Sequence, residues 1–194
     1  MNYLAHSYLS YSPEQLVGNL LVDFAKRKDR LSYPQEIQKG IELHHAIDRF
    51  TDNHPKFKAI KALFRPLTGH YCGVFADIVL DYFILNDKKL HSTAQWQAHC
   101  EWAYESLTRY EKWLPARLKS SLPGMIRSNW LMQYQSLEGM KNSLTYVVRR
   151  AKFLSDSTDV FEVMVKNLDR IKELYEDFFP ELKAYCEEFN INHN

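Results

Sequence analysis

The segment Gly40–Asn53, GIELHHAIDRFTDN, sets two histidines and two aspartates within the nine residues from His44 to Asp52. At the helical period, His44, Asp48, Thr51 and Asp52 share about a quarter of the wheel, and Leu43, Ile47 and Phe50 take the adjoining quarter. His44 and Asp48, at i and i+4, then stack at the edge of a buried stripe, where one imidazole and one carboxylate can reach a common cation. The bland alternative is a surface ion pair. Asp77 and Asp81 repeat the spacing in VFADIVLDYFIL, among residues that demand burial. Carboxylates are almost never fully buried unless paired or bound to metal. A divalent cation would relieve their mutual repulsion, as would arginines from other helices. Asp23 follows the apolar run of GNLLVDF, and His6 is the polar residue of NYLAHSYL, where a satisfied core histidine is the plain reading. Together, His6, Asp23, His44, Asp48, Asp77 and Asp81 offer nitrogen and oxygen but no sulfur, a donor set suited to Mn²⁺, Mg²⁺ or Fe²⁺ rather than structural zinc.

These residues need helices to hold them. Six glycines and few alternating Val/Ile/Thr runs argue against strands. Ser12-Pro13-Glu14-Gln15 has the order of an N-cap, N1 proline and N3 glutamine, and Leu16, Val17, Leu20, Leu21 and Phe24 form its stripe. Tyr33-Pro34 opens a helix to about Asp52, and Asn53-His54-Pro55 ends it. A short helix follows to about Pro66, and an apolar one spans Val74 to Phe83. Ser92-Thr93-Ala94-Gln95 is a second capping box, heading a helix to about Lys112. Pro115 to Gly124 reads as a connection, with helices at about 125–134, 137–154 and 159–189, the last bent at Pro180. The expected fold class is all-α, one helical domain over residues 1–194.

The 194 residues suit one core. Lysine plus arginine (25) nearly balances aspartate plus glutamate (24), which removes a global field for nucleic acid. The three cysteines, Cys72, Cys100 and Cys186, are too scattered for a disulfide framework and read as free thiols of a reducing compartment. No signal-peptide pattern and no membrane-length apolar run is seen, so a cytoplasmic protein is expected.

The stretches MNYLAH, GNLLVDF, GIELHHAIDRFTDN and DIVLDYFIL, in this order, resemble the motifs of the bacterial acyl carrier protein phosphodiesterase family. The resemblance covers most of the first 90 residues and implies an HD-phosphohydrolase-like helical fold, though the chain has no adjacent His-Asp pair. It further implies removal of 4′-phosphopantetheine from holo-acyl carrier protein with Mn²⁺. The motifs carry His6, Asp23, His44, Asp48 and Asp77 forward as metal ligands, and Asp23 and Asp81 as catalytic residues. A divalent ion would lower the pKa of water and neutralise phosphoryl charge.

An acidic carrier protein asks for a basic patch. Lys26, Arg27, Lys28 and Arg30 follow Asp23 directly, with further groups at Lys56, Lys58, Lys61 and Arg65 and at Arg149, Arg150 and Lys152. Ordinary surface lysines are the competing reading. Two other functions compete: an HD-like phosphohydrolase acting on a nucleotide or another small phosphoester, and a non-catalytic helical interaction module. A di-iron bundle lacks its Glu-x-x-His pairs, and no G-x-S-x-G elbow is present. Neither nucleic acid nor membrane is expected as a partner.

Overall fold

A computed structural model describes residues 1–155 and 158–193. Among them are ten α-helices and no strand: α1 Tyr3–Tyr8, α2 Pro13–Leu21, α3 Gln35–Asn53, α4 Pro55–Thr68, α5 Cys72–Asn86, α6 Thr93–Arg109, α7 Ala116–Arg127, α8 Leu137–Arg150, α9 Val160–Lys166 and α10 Leu168–His193. Short 3₁₀ segments join several of them, notably Arg27–Ser32 after α2 and Trp130–Gln135 before α8. No described helix is long and apolar enough to cross a membrane.

Local chemistry sets the boundaries. Ser12 Oγ accepts from the Gln15 N–H at 3.1 Å, with Pro13 at N1. His54 closes α3 and opens α4, its Nδ1 accepting from the Lys56 N–H at 3.2 Å ahead of Pro55. Ser92 and Gln95 exchange their capping-box bonds at α6. α5 is apolar on nearly every side, and Phe75, Val79, Leu80 and Ile84 are fully buried in the core. The three cysteines are free and buried.

Several expectations from sequence need correction. Pro115–Gly124 is not a connection but the start of α7: Pro115 takes the N-cap position in extended geometry, and Pro123 sits inside the helix. Pro123 is exposed, as is Lys119, whose carbonyl loses its helical partner, so water can serve it while Leu118 and Leu122 bury the inner face. The expected helix at 125–134 is instead the end of α7 followed by 3₁₀ turns, with Asn129 in the left-handed region between them (φ 45°). α4 continues two residues beyond Pro66, and the long C-terminal helix is two helices, parted at Asn167.

The contact that positions the site is between α2 and α3. A Cβ on Gly18 would lie 2.0 Å from the Ile37 carbonyl oxygen, and one on Gly40 would lie 2.1 Å from that of Gln15. Backbone meets backbone here, with no side chain able to yield. α1 is fixed from the other side by α5. Asp81 is fully buried, and its carboxylate accepts from the N–H groups of Leu4 (3.2 Å) and Ala5 (3.1 Å) and from Asn2 Nδ2 (2.8 Å). A side chain from another helix thus caps α1. Burial nevertheless pushes the Asp81 carboxyl up to about 7, the N–H bonds opposing.

Gly40→Ala is expected to cost about 2–3 kcal/mol or more, because the helices must separate. Gly124→Ala, with nothing within 4 Å of the added carbon, is expected to be neutral or stabilising by up to about 1 kcal/mol. Urea unfolding of both variants measures the contrast.

Candidate metal centre and cleft

α3 carries His44 and Asp48 on the side turned toward α1 and α2. His44 Nδ1 lies 2.7 Å from the Asn19 carbonyl oxygen. A carbonyl only accepts, so Nδ1 holds the proton and donates, and Nε2 turns its lone pair inward. That nitrogen faces Asp48 Oδ2 at 3.0 Å and Asp23 Oδ1 at 3.9 Å. Two acceptors face each other across 3.0 Å and need a proton or a metal cation between them.

His6, from α1, stacks on His44 with ring centroids 4.2 Å apart and planes 9° from parallel. Its Nε2 is 3.3 Å from Asp48 Oδ1, yet neither ring nitrogen has a hydrogen-bond partner, although both are buried. Burial lowers His6 to about 4, against the pull of Asp48, and so favours the neutral ligand form. Asp48 behaves oppositely. Burial alone would raise it, but contacts from His44, His6 and the Met1 ammonium outweigh that and hold the carboxyl far below the usual range.

One ligand atom each from His6, His44 and Asp48 falls within 4.8 Å of the others. Orphaned buried imidazole nitrogens and a lone pair aimed at a carboxylate together fit a divalent cation. Asp77 stands at the edge of this group. Its Oδ1 is buried without a hydrogen bond, and the Met1 α-ammonium bridges it (3.3 Å) to Asp48 (3.0 Å). Burial raises the Asp77 carboxyl, with the ammonium opposing. Asp23 is more than half exposed, at 55%.

Five of the six candidates therefore gather at one place. Asp81 does not join them: it lies in the interior, spent on the amides of α1. Of the basic residues, Lys26, Arg27 and Lys28 are exposed, whereas Arg30 turns back to place Nη1 2.5 Å from His45 Nε2. Lys56 and Lys61 are already paired with Asp177 and Asp52.

His44 and Asp48 of this cluster line part of a cleft of about 890 Å³, with His6 buried behind them. Asp23, Asp48, Asp52 and Asp77 line it together with Phe24, Trp130 and Val147. α7 and α8 build much of the wall, through Arg117, Ser121 and Met125 on one and Ser143, Tyr146 and Arg150 on the other. Of these, Arg150 was named from sequence in a basic group, and the others were missed. Their spacing of three to four was the available signal, obscured where the prolines around α7 suggested a loop.

An all-helical frame that gathers imidazoles and carboxylates from separate helices beside a large cleft defines a class, helical proteins with a candidate nitrogen–oxygen cation site. A family model described as acyl carrier protein phosphodiesterase matches residues 1–182. A Salmonella agona protein named acyl carrier protein phosphodiesterase is 26% identical over 186 residues, covering 95% of this chain and 96% of the relative. A Klebsiella pneumoniae protein of the same name is 27% identical over 197 residues, covering 96% and 98%. The chain belongs to the acyl carrier protein phosphodiesterase family. No solved structure matches it.

Asp48→Asn should leave the fold intact and weaken Mn²⁺ binding by about 100-fold or more, since it removes the ionised ligand. Calorimetric titration of Mn²⁺ into wild type and variant measures the difference.

Proposed function

We propose that this protein is a phosphodiesterase that converts holo-acyl carrier protein to apo-acyl carrier protein and 4′-phosphopantetheine. The observation that carries the reading is the cluster of His6, His44 and Asp48, of which His44 and Asp48 line a large cleft, in a chain of this family.

Hydrolysis joins a water oxygen to phosphorus and expels the serine oxygen of the carrier. Held by His6, His44 and Asp48, with Asp23 and Asp77 at hand, a divalent ion such as Mn²⁺ would acidify water and offset phosphoryl charge. The carboxylates divide the remaining work by environment. Asp48, held far below the usual range, is a poor base and a constant ligand. Asp23, the most exposed carboxylate of the cluster, orients the attacking water and accepts its proton. Asp81 acts at a distance by holding α1, and with it His6, in place.

The rest of the cleft suits an extended arm that is polar at intervals. Phe24, Trp130 and Val147 offer apolar contact for its methyl and methylene groups, while Gln133, Asn142 and Ser143 can bond its amides. Outside, Lys26, Arg27 and Lys28 begin the 3₁₀ segment just after Asp23 and Phe24, where an acidic carrier would be steered.

Incubation with holo-acyl carrier protein and Mn²⁺ should release the prosthetic group, read as a mass loss on the carrier. Asp23→Ala should slow release by about 10²–10⁴-fold with helicity unchanged. A carrier that keeps its arm, or a fully active variant, would refute the assignment. Reversing charge at Lys26, Arg27 and Lys28 together should raise KM for the carrier and flatten its dependence on salt. An unaltered KM and salt profile would remove this segment from the docking surface.

A further inference from the structure

We propose that Arg117 of α7 and Arg150 of α8 form an anion grip that holds the phosphoryl group of the substrate within the cleft. The assignment rests on the phosphodiesterase reading and adds to it the groups that recognise the reacting anion.

Charge is the first argument. The cleft is lined by four carboxylates, those of Asp23, Asp48, Asp52 and Asp77, which oppose the entry of a phosphodiester. Arg117 and Arg150 are the arginines of that lining, and it contains no lysine. A cation held by the His6 cluster would cancel part of the acidity at one place. The non-bridging oxygens that face away from it still need a positive partner, and a guanidinium offers donors in a fork matched to phosphate.

Availability is the second. Neither arginine forms an ion pair with a described residue. Aromatic rings hold both in place instead. The Arg117 guanidinium carbon lies 5.8 Å from the Phe24 ring centroid, and Phe24 is the chain neighbour of Asp23. The Arg150 guanidinium carbon lies 5.3 Å from the Tyr146 ring, and its Nη1 donates to the Tyr146 hydroxyl at 2.5 Å. Stacking of this kind restrains a long side chain without consuming its charge. Arg117 also bears on Tyr3, whose hydroxyl is coupled to Asp23, which puts it on the acidic side of the cleft. The two arginines belong to helices α7 and α8, outside the motif-bearing α1–α5 that supply the cluster.

The test uses Arg117→Gln, Arg150→Gln and the double variant in the full chain, with Mn²⁺ present throughout. Inorganic phosphate is titrated calorimetrically, and kcat and KM are measured on holo-acyl carrier protein. Because neither arginine is ion-paired with a described residue, thermal unfolding should match wild type. The double variant should bind phosphate at least about 10-fold more weakly and show a similar rise in KM, the scale of one or two charged hydrogen bonds. Unchanged phosphate affinity overturns the grip. If KM rises while phosphate affinity does not change, the arginines meet the carrier surface, and the phosphoryl assignment is wrong. If wild type cleaves the carrier and the variants equal it in phosphate affinity, kcat and KM, the grip fails while the enzyme reading stands. Loss of phosphate affinity in a protein that does not cleave the carrier would uphold an anion site and remove the substrate.

Discussion

The close approach of α2 and α3 is the constraint on which the site depends. Glycines at positions 18 and 40 let each backbone pass where a methyl group would collide with a carbonyl oxygen of the other helix. At that separation the Asn19 carbonyl reaches His44 Nδ1 and fixes which nitrogen carries the proton. The other nitrogen is then committed to face Asp48, and the end of α2 delivers Asp23 to the same place. A ligand's orientation is thus set by a main-chain bond one layer behind it, which no side-chain substitution can imitate.

α1 completes the cluster and is itself too short to stand alone. Its six residues are held by a borrowed cap, the Asp81 carboxylate from the middle of α5. Burying that charge is unfavourable, as its raised pKa records, and the two amides and Asn2 offset the loss of water. The result is a rigid route from the core helix α5, through α1, to the His6 ring stacked on His44. The second helix-borne aspartate of VFADIVLD thereby has a structural use, one turn from Asp77, whose carboxylate borders the cleft.

Much of this was legible in the sequence, for physical reasons that can be named. The i, i+4 spacing of His44 and Asp48 beside a buried stripe placed both on one edge of α3, where they are found in contact. Ser12, His54-Pro55 and Ser92 marked helix ends because capping is local chemistry. What stayed hidden depended on partners distant in the chain. Asp77 and Asp81 look alike in sequence, and only tertiary packing sends one to the cluster and the other to the amides of α1. Gly18 and Gly40 each sit in an otherwise regular helical pattern, an anomaly that hints at close packing but does not name the facing residue. The prolines of α7 masked a helix, and with it Arg117, because water at an exposed face tolerates a lost bond that sequence rules treat as a break.

The central claim is that nitrogen and oxygen donors from α1 and α3 meet on a single divalent cation, with the acidic part of the cleft organised around it. Anomalous diffraction from crystals grown with Mn²⁺ addresses it directly. The account predicts one strong manganese peak within bonding distance of His6 Nε2, His44 Nε2 and the Asp48 carboxylate. A peak elsewhere, or imidazoles still facing Asp48 with no metal between them in crystals saturated with manganese, would contradict it.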